Sequence, residues 1–120
     1  MMKPQSAKAK GRRLQQWLRS LLLRELKISP ADVESRSMGA PGEDLMLSQA
    51  ARELWPYSVE CKNTESLNVW AAWNQACANA GEHEPLLIIK RNRAPPLAVV
   101  DALHFVKLST GENDEKHDDS

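Results

Sequence analysis

The chain has 120 residues, enough for one domain with a hydrophobic core and too few for two. Sixteen Lys and Arg balance sixteen Asp and Glu, yet residues 1–27 carry eight cations against Glu25 alone and residues 112–120 carry five acids against Lys116. A basic front and an acidic tail cancel in the sum, so zero net charge does not exclude a nucleic-acid partner; no apolar run reaches membrane length, which excludes a spanning helix.

Residues 1–9 are polar and read as a flexible basic tail, with Lys3 and Lys8 either touching phosphate or lying in a solubilising arm. Residues 10–108 read as a single domain. From Lys10 to Lys27, Leu14, Trp17, Leu18, Leu21 and Leu22 fall at helical spacings, with Gln15 at the edge of the stripe. Arg12 and Arg13 lie off it and are candidate DNA contacts. Ser29-Pro30 breaks the helix, and 32–37 reads as a short strand ending at Arg36, a further candidate DNA contact, and Ser37. The glycines of Gly39-Ala40-Pro41-Gly42 allow a sharp turn, and no phosphate-binding loop pattern surrounds them.

Leu45–Leu47 is the second expected strand, with Asp44 at its start. Ser48 is a helix cap for 49–54, and Trp55-Pro56 closes that helix. Tyr57–Lys62 follows as a strand. Tyr57, Val59 and Cys61 share one face, and Ser58, Glu60 and Lys62 share the other. Residues 67–80 form the second long helix, on which Trp70, Trp73, Cys77 and Ala80 are spaced for a buried stripe, and Gly81 ends it. Leu86-Leu87-Ile88-Ile89 is an unbroken apolar run, the mark of a central strand covered on both faces. Lys90, Arg91 and Arg93 at its exit are either a clamp on a DNA backbone or a solvated hairpin end. Leu97–Val100 is the last strand, 101–104 a turn or short helix, and Phe105–Leu108 closes the core. Residues 109–120 read as a disordered acidic tail.

The chemistry concentrates on Asp44, Glu60 and Lys62. Two carboxylates converging beside one ammonium make a hard oxygen site for Mg²⁺ with a cation left to hold or deprotonate a water. That is the inventory of phosphodiester hydrolysis. A Glu-x-Lys on a sheet face is also a common solvated ion pair. Cys61 and Cys77 lack zinc spacing, and His83, His104 and His117 match no nuclease constellation. Met1-Met2-Lys3-Pro4 is not followed by a signal-peptide core, so a cytoplasmic setting is expected.

The order of these pieces, with Ser37-Met38-Gly39-Ala40-Pro41-Gly42-Glu43-Asp44-Leu45 and Val59-Glu60-Cys61-Lys62-Asn63, resembles the PD-(D/E)XK nuclease superfamily. Within it the chain is most similar to small phage endonucleases related to Holliday-junction resolvases, over about 10–108. The resemblance implies an α/β fold, a small mixed β-sheet flanked by helices with a restriction-endonuclease-like core. It implies that Asp44, Glu60 and the backbone carbonyl of Cys61 hold Mg²⁺ or Mn²⁺, and that Lys62 is the catalytic lysine. Related resolvases carry a glutamate in the first helix where this chain has Gln15, and Ser37 would reach the scissile phosphate. Gln75 would stand behind the site. A homodimer acting on DNA, branched DNA such as a four-way junction included, follows from the same likeness. The alternative is a DNA-binding accessory protein that keeps the fold without cleavage.

Overall fold

The computed structural model describes residues 7–36 and 41–111. Helix α1 (Ala7–Leu26) starts three residues before Lys10, because Ala7, Lys8 and Ala9 are good helix formers with no breaker among them. It buries Leu14, Leu18 and Leu22, four residues apart, together with Gly11 and Gln15. Beyond it Ser29 caps a single 3-10 turn, Pro30–Asp32: the Ser29 hydroxyl accepts from the Ala31 N–H, and the Asp32 carboxylate accepts from the Ser29 N–H. That reciprocal cap takes Asp32 out of the expected strand, so β1 is only Val33–Ser35. Ser37 lies outside the described residues.

Strand β1 pairs antiparallel with β2 (Leu45–Leu47), with Val33 opposite Leu47. The Ser48 hydroxyl accepts from Ala51 N–H and starts α2 (Gln49–Leu54), which stops at Trp55 as the following proline dictates. Strands β3 (Tyr57–Asn63) and β4 (Glu84–Lys90) run parallel and are joined by α3 (Val69–Ala80) in a βαβ unit. Strand β5 (Leu97–Val99) returns antiparallel beside β4, and α4 (Ala102–Ser109) follows. The order β3-β4-β5 makes β4 the central strand, as its unbroken apolar run requires.

The mixed sheet lies between helices. On one face Tyr57, Val59, Cys61, Leu86 and Ile88 pack with Leu14, Leu18 and Leu22 of α1 and with Val33 and Leu45. On the other, Leu87, Ile89 and Val99 meet Ala72, Ala76 and Trp73 of α3. This is an α/β domain with a small mixed sheet flanked by helices.

Three expectations change. The buried stripe of α3 is Ala72, Ala76 and Ala80, while Trp70 is 76% exposed and Cys77 is exposed. Alanines bring the helix close to the sheet, and the bulk of Trp70 is turned outward. Phe105–Leu108 does not close the core: no residue of α4 is buried. Strands β2 and β3 do not pair as a hairpin-like unit, since β2 takes β1 as its partner. Only the start of β2 reaches β3, through Asp44.

Candidate active site

Asp44 is fixed by the backbone of β3. Its N–H donates to the Val59 carbonyl at 2.8 Å, and its Oδ2 accepts the Cys61 N–H at 2.6 Å. Residues 59 and 61 point their backbone groups to the same edge of the strand. Asp44 thus fills the place of a neighbouring strand there, its side-chain oxygen standing where a partner's carbonyl would be. The Arg52 guanidinium takes the Tyr57 carbonyl on the same edge at 3.1 Å and forms an ion pair with Glu43. Arg36 donates to the Glu43 carbonyl at 2.6 Å, packs over Gly42 and accompanies Asp44. Gly42 takes φ +97°, a backbone conformation that favours glycine, so the loop can turn into Asp44. Since the Cys61 N–H faces Asp44, the Cys61 carbonyl faces the same edge.

Glu60, one residue from Cys61, points to the α3 side of the sheet and is only 3% exposed. Its Oε1 accepts from Asn79 Nδ2 at 3.2 Å, and its Oε2 lies 3.8 Å from Lys62 Nζ. Gln15 reaches Asp44 from α1 and hydrogen-bonds its carboxylate. The structure therefore brings Asp44, Glu60, Lys62 and Gln15 together from three elements. Burial pushes the Asp44 carboxyl up; the Cys61 N–H, Lys62, Gln15 and Arg36 pull it partly back. Burial likewise raises Glu60, the charge of Asp44 raises it further, and Asn79 and Lys62 oppose both. Two carboxylates that repel each other in a desolvated corner have an unmet demand for positive charge. The Cys61 thiol faces α1, and burial followed by the charges of Asp44 and Glu60 pushes it far up, so it stays protonated and unreactive.

Among the described residues, no group of three or more His, Cys, Asp or Glu side chains gathers to hold a metal ion. A zinc-type cage is not built here. The two carboxylates and the Cys61 carbonyl instead match the habit of Mg²⁺, which takes one or two carboxylates and keeps several waters. That donor set fits the ion.

The remaining expected residues lie elsewhere. Arg12 and Arg13 are exposed on α1 near Gln15. Lys90 donates to the Arg91 carbonyl, and Arg91 and Arg93 are exposed in the turn after β4, with Arg93 at φ 63°. Gln75 is exposed on α3. Asn79, one helical turn further along, is the residue of that helix that touches Glu60, and a step of four from Gln75 would have reached it. Glu65 is engaged by the Asn92 N–H and lies 3.8 Å from Lys10.

Comparison of the chain with protein-family models, with curated proteins and with solved structures gives no match. What the fold and the geometry define is an α/β domain with a paired-carboxylate and lysine site on the edge of a parallel strand. No helix among the described residues is long and apolar enough to cross a membrane.

Proposed function

We propose that the protein is a metal-dependent DNA endonuclease with a restriction-endonuclease-like core. The observation that carries this reading is the convergence of Asp44, Glu60 and Lys62 on one edge of β3, with both carboxylates raised by burial. Asp44, Glu60 and the Cys61 carbonyl would hold Mg²⁺ or Mn²⁺. Such an ion supplies charge neutralisation at a phosphodiester during in-line attack by water. Lys62, partly exposed beside Glu60, offers its ammonium to orient the attacking water and to stabilise negative charge developing on the phosphate. Gln15 has an amide that can orient water from the α1 side without adding charge. Asn79 holds Glu60 in place. Exposed Arg12 and Arg13 extend a cationic surface from the site along α1 for the DNA backbone.

A branched substrate such as a four-way junction, cut by a symmetric homodimer inside the cell, is the form of this activity that the resemblance favours, because paired cuts need two sites. The neutral Gln15 favours a second reading, a DNA-binding accessory protein that has kept the fold. Cleavage of end-labelled four-way junction and matched linear duplex separates the two, run with Mg²⁺, with chelator, and with Glu60→Ala and Lys62→Ala. Metal-dependent cutting by the wild type, lost in both variants while DNA binding persists, supports the nuclease. Salt-sensitive binding with no cutting in Mg²⁺ or Mn²⁺ supports the accessory protein.

A further inference from the structure

Helix α4 is held to the body by a polar contact. His104 is its least exposed residue: the ring hydrogen-bonds through Nε2 with the Tyr57 hydroxyl and meets the Tyr57 ring edge-on at 5.3 Å. Its Nδ1 lies 3.7 Å from a Glu84 carboxylate oxygen. The large apolar side chains point elsewhere. Leu103, Phe105, Val106 and Leu108 are 64%, 58%, 55% and 52% exposed. At 100° per residue these four surround most of the helix, leaving a polar sector at His104 and Lys107. A helix apolar around most of its circumference belongs in an interior or an interface. Residues 112–120, which follow in sequence, contain no apolar side chain and offer no matching cover.

We propose that α4 packs antiparallel against α4 of a second copy of this chain across a two-fold axis near His104 and Phe105. Charge favours that occupant and that direction. The acid and the base of this segment are Asp101, at the N-terminal cap, and Lys107, three positions on either side of His104. Antiparallel pairing about that centre sets each Lys107 beside the Asp101 of the other copy and each helix's positive end beside the other's negative end. Parallel pairing sets like on like. The four apolar side chains present roughly 400 Å² per copy, so about 800 Å² from both; flanking polar groups bring the total to the lower range of a specific interface, roughly 1,200 Å². A contact of a surface with itself is closed and does not propagate into fibres. This interface stands whether or not the protein cuts DNA.

The test is analytical ultracentrifugation of the full chain from about 1 to 100 µM, a range that spans micromolar dissociation. The wild type is expected to pass from 13.5 kDa toward twice that mass. Phe105→Glu and Leu108→Glu each raise the dimer dissociation constant by about thirty-fold or more, the effect of losing a central anchor. Their melting curves at low concentration match the wild type, because both side chains are exposed in the monomer. Lys107→Glu, on a solvated position, weakens the dimer severalfold by placing carboxylate beside carboxylate. A wild type that stays monomeric throughout overturns the proposal, as does a dimer indifferent to both glutamate variants. A dimer unmoved by Lys107→Glu overturns the antiparallel arrangement.

Discussion

Replacing Glu60 with glutamine separates the structural and the chemical demands on this corner. The substitution keeps the shape and an oxygen for Asn79 but removes one of two charges that burial and mutual repulsion disfavour. The folded-state value lies above the ordinary 4.5, so the neutral form of Glu60 contributes stability that is full below pH 4.5 and lost as pH rises through the raised value. At neutral pH the metal-free wild type therefore carries a penalty that Glu60→Gln lacks. Each unit of elevation is worth about 1.4 kcal/mol, against about 0.5 kcal/mol for the partly exposed Lys62 pairing that is lost. With about 4 °C of Tm per kcal/mol for a domain of this size, the metal-free variant should melt a few degrees above the wild type at pH 7 and near it at pH 4 to 5. Mg²⁺ or Mn²⁺ should invert the order. An ion at a hundred times its Kd stabilises the wild type by about 2.7 kcal/mol, close to 10 °C, and Glu60→Gln hardly at all. Circular-dichroism melts with chelator and with saturating metal read both effects. Equal metal shifts in the two proteins, or a metal-free variant less stable than wild type at pH 7, would refute the reasoning.

Other residues give separable outcomes. Asn79→Ala removes the donor to Glu60 and should lower the melting point by the equivalent of about 1 kcal/mol, with slower cleavage and unchanged DNA affinity in a gel-shift assay. Lys62→Ala should reduce single-turnover cleavage by about a hundredfold or more while metal-induced stabilisation persists, because its role lies in charge stabilisation and not in holding the ion. Gln15→Glu adds a third carboxylate beside Asp44; calorimetric titration should show tighter Mg²⁺ binding, and the metal-free protein should lose stability as pH rises toward 7. Arg12→Ala and Arg13→Ala should each lower the slope of log affinity against log salt by about one, without altering the pattern of cuts.

Strand alternation placed Tyr57, Val59 and Cys61 on the core face and Glu60 and Lys62 opposite, and the apolar run of 86–89 announced a central strand, because period-two burial is a local property. The caps at Ser29 and Ser48 show which signals are decisive: Ser48 alone started α2 where expected, whereas the reciprocal Ser29 and Asp32 pair shortened β1. The face of α3 was illegible, since Trp and Ala are both apolar and only the closeness of helix to sheet selects Ala72 and Ala76. Phe105 and Leu108 misled for a related reason: hydrophobicity announces that a side chain is to be covered, not by which chain. At the site, sequence order suggested that Asp44 and Glu60 meet, but the means is a carboxylate taking a backbone N–H, a contact without a sequence pattern. Asn79 went unseen because amides on helices are ordinary.

Strand β3 is an outer strand of its sheet, and outer strands invite unwanted pairing with other chains. Arg52 and Asp44 close that edge at residues 57, 59 and 61. Asp44 consequently answers to two selective pressures, while Lys62 answers to one. In a descendant that had abandoned chemistry, Lys62 would drift, whereas loss of the Asp44 side chain would uncover the Cys61 N–H and open a route to edge-to-edge aggregation. Asparagine there would keep the acceptor and the solubility while giving up the charge. In any lineage of this fold, then, a retained Asp44 reports a protected edge, and it is Lys62 that reports a working site.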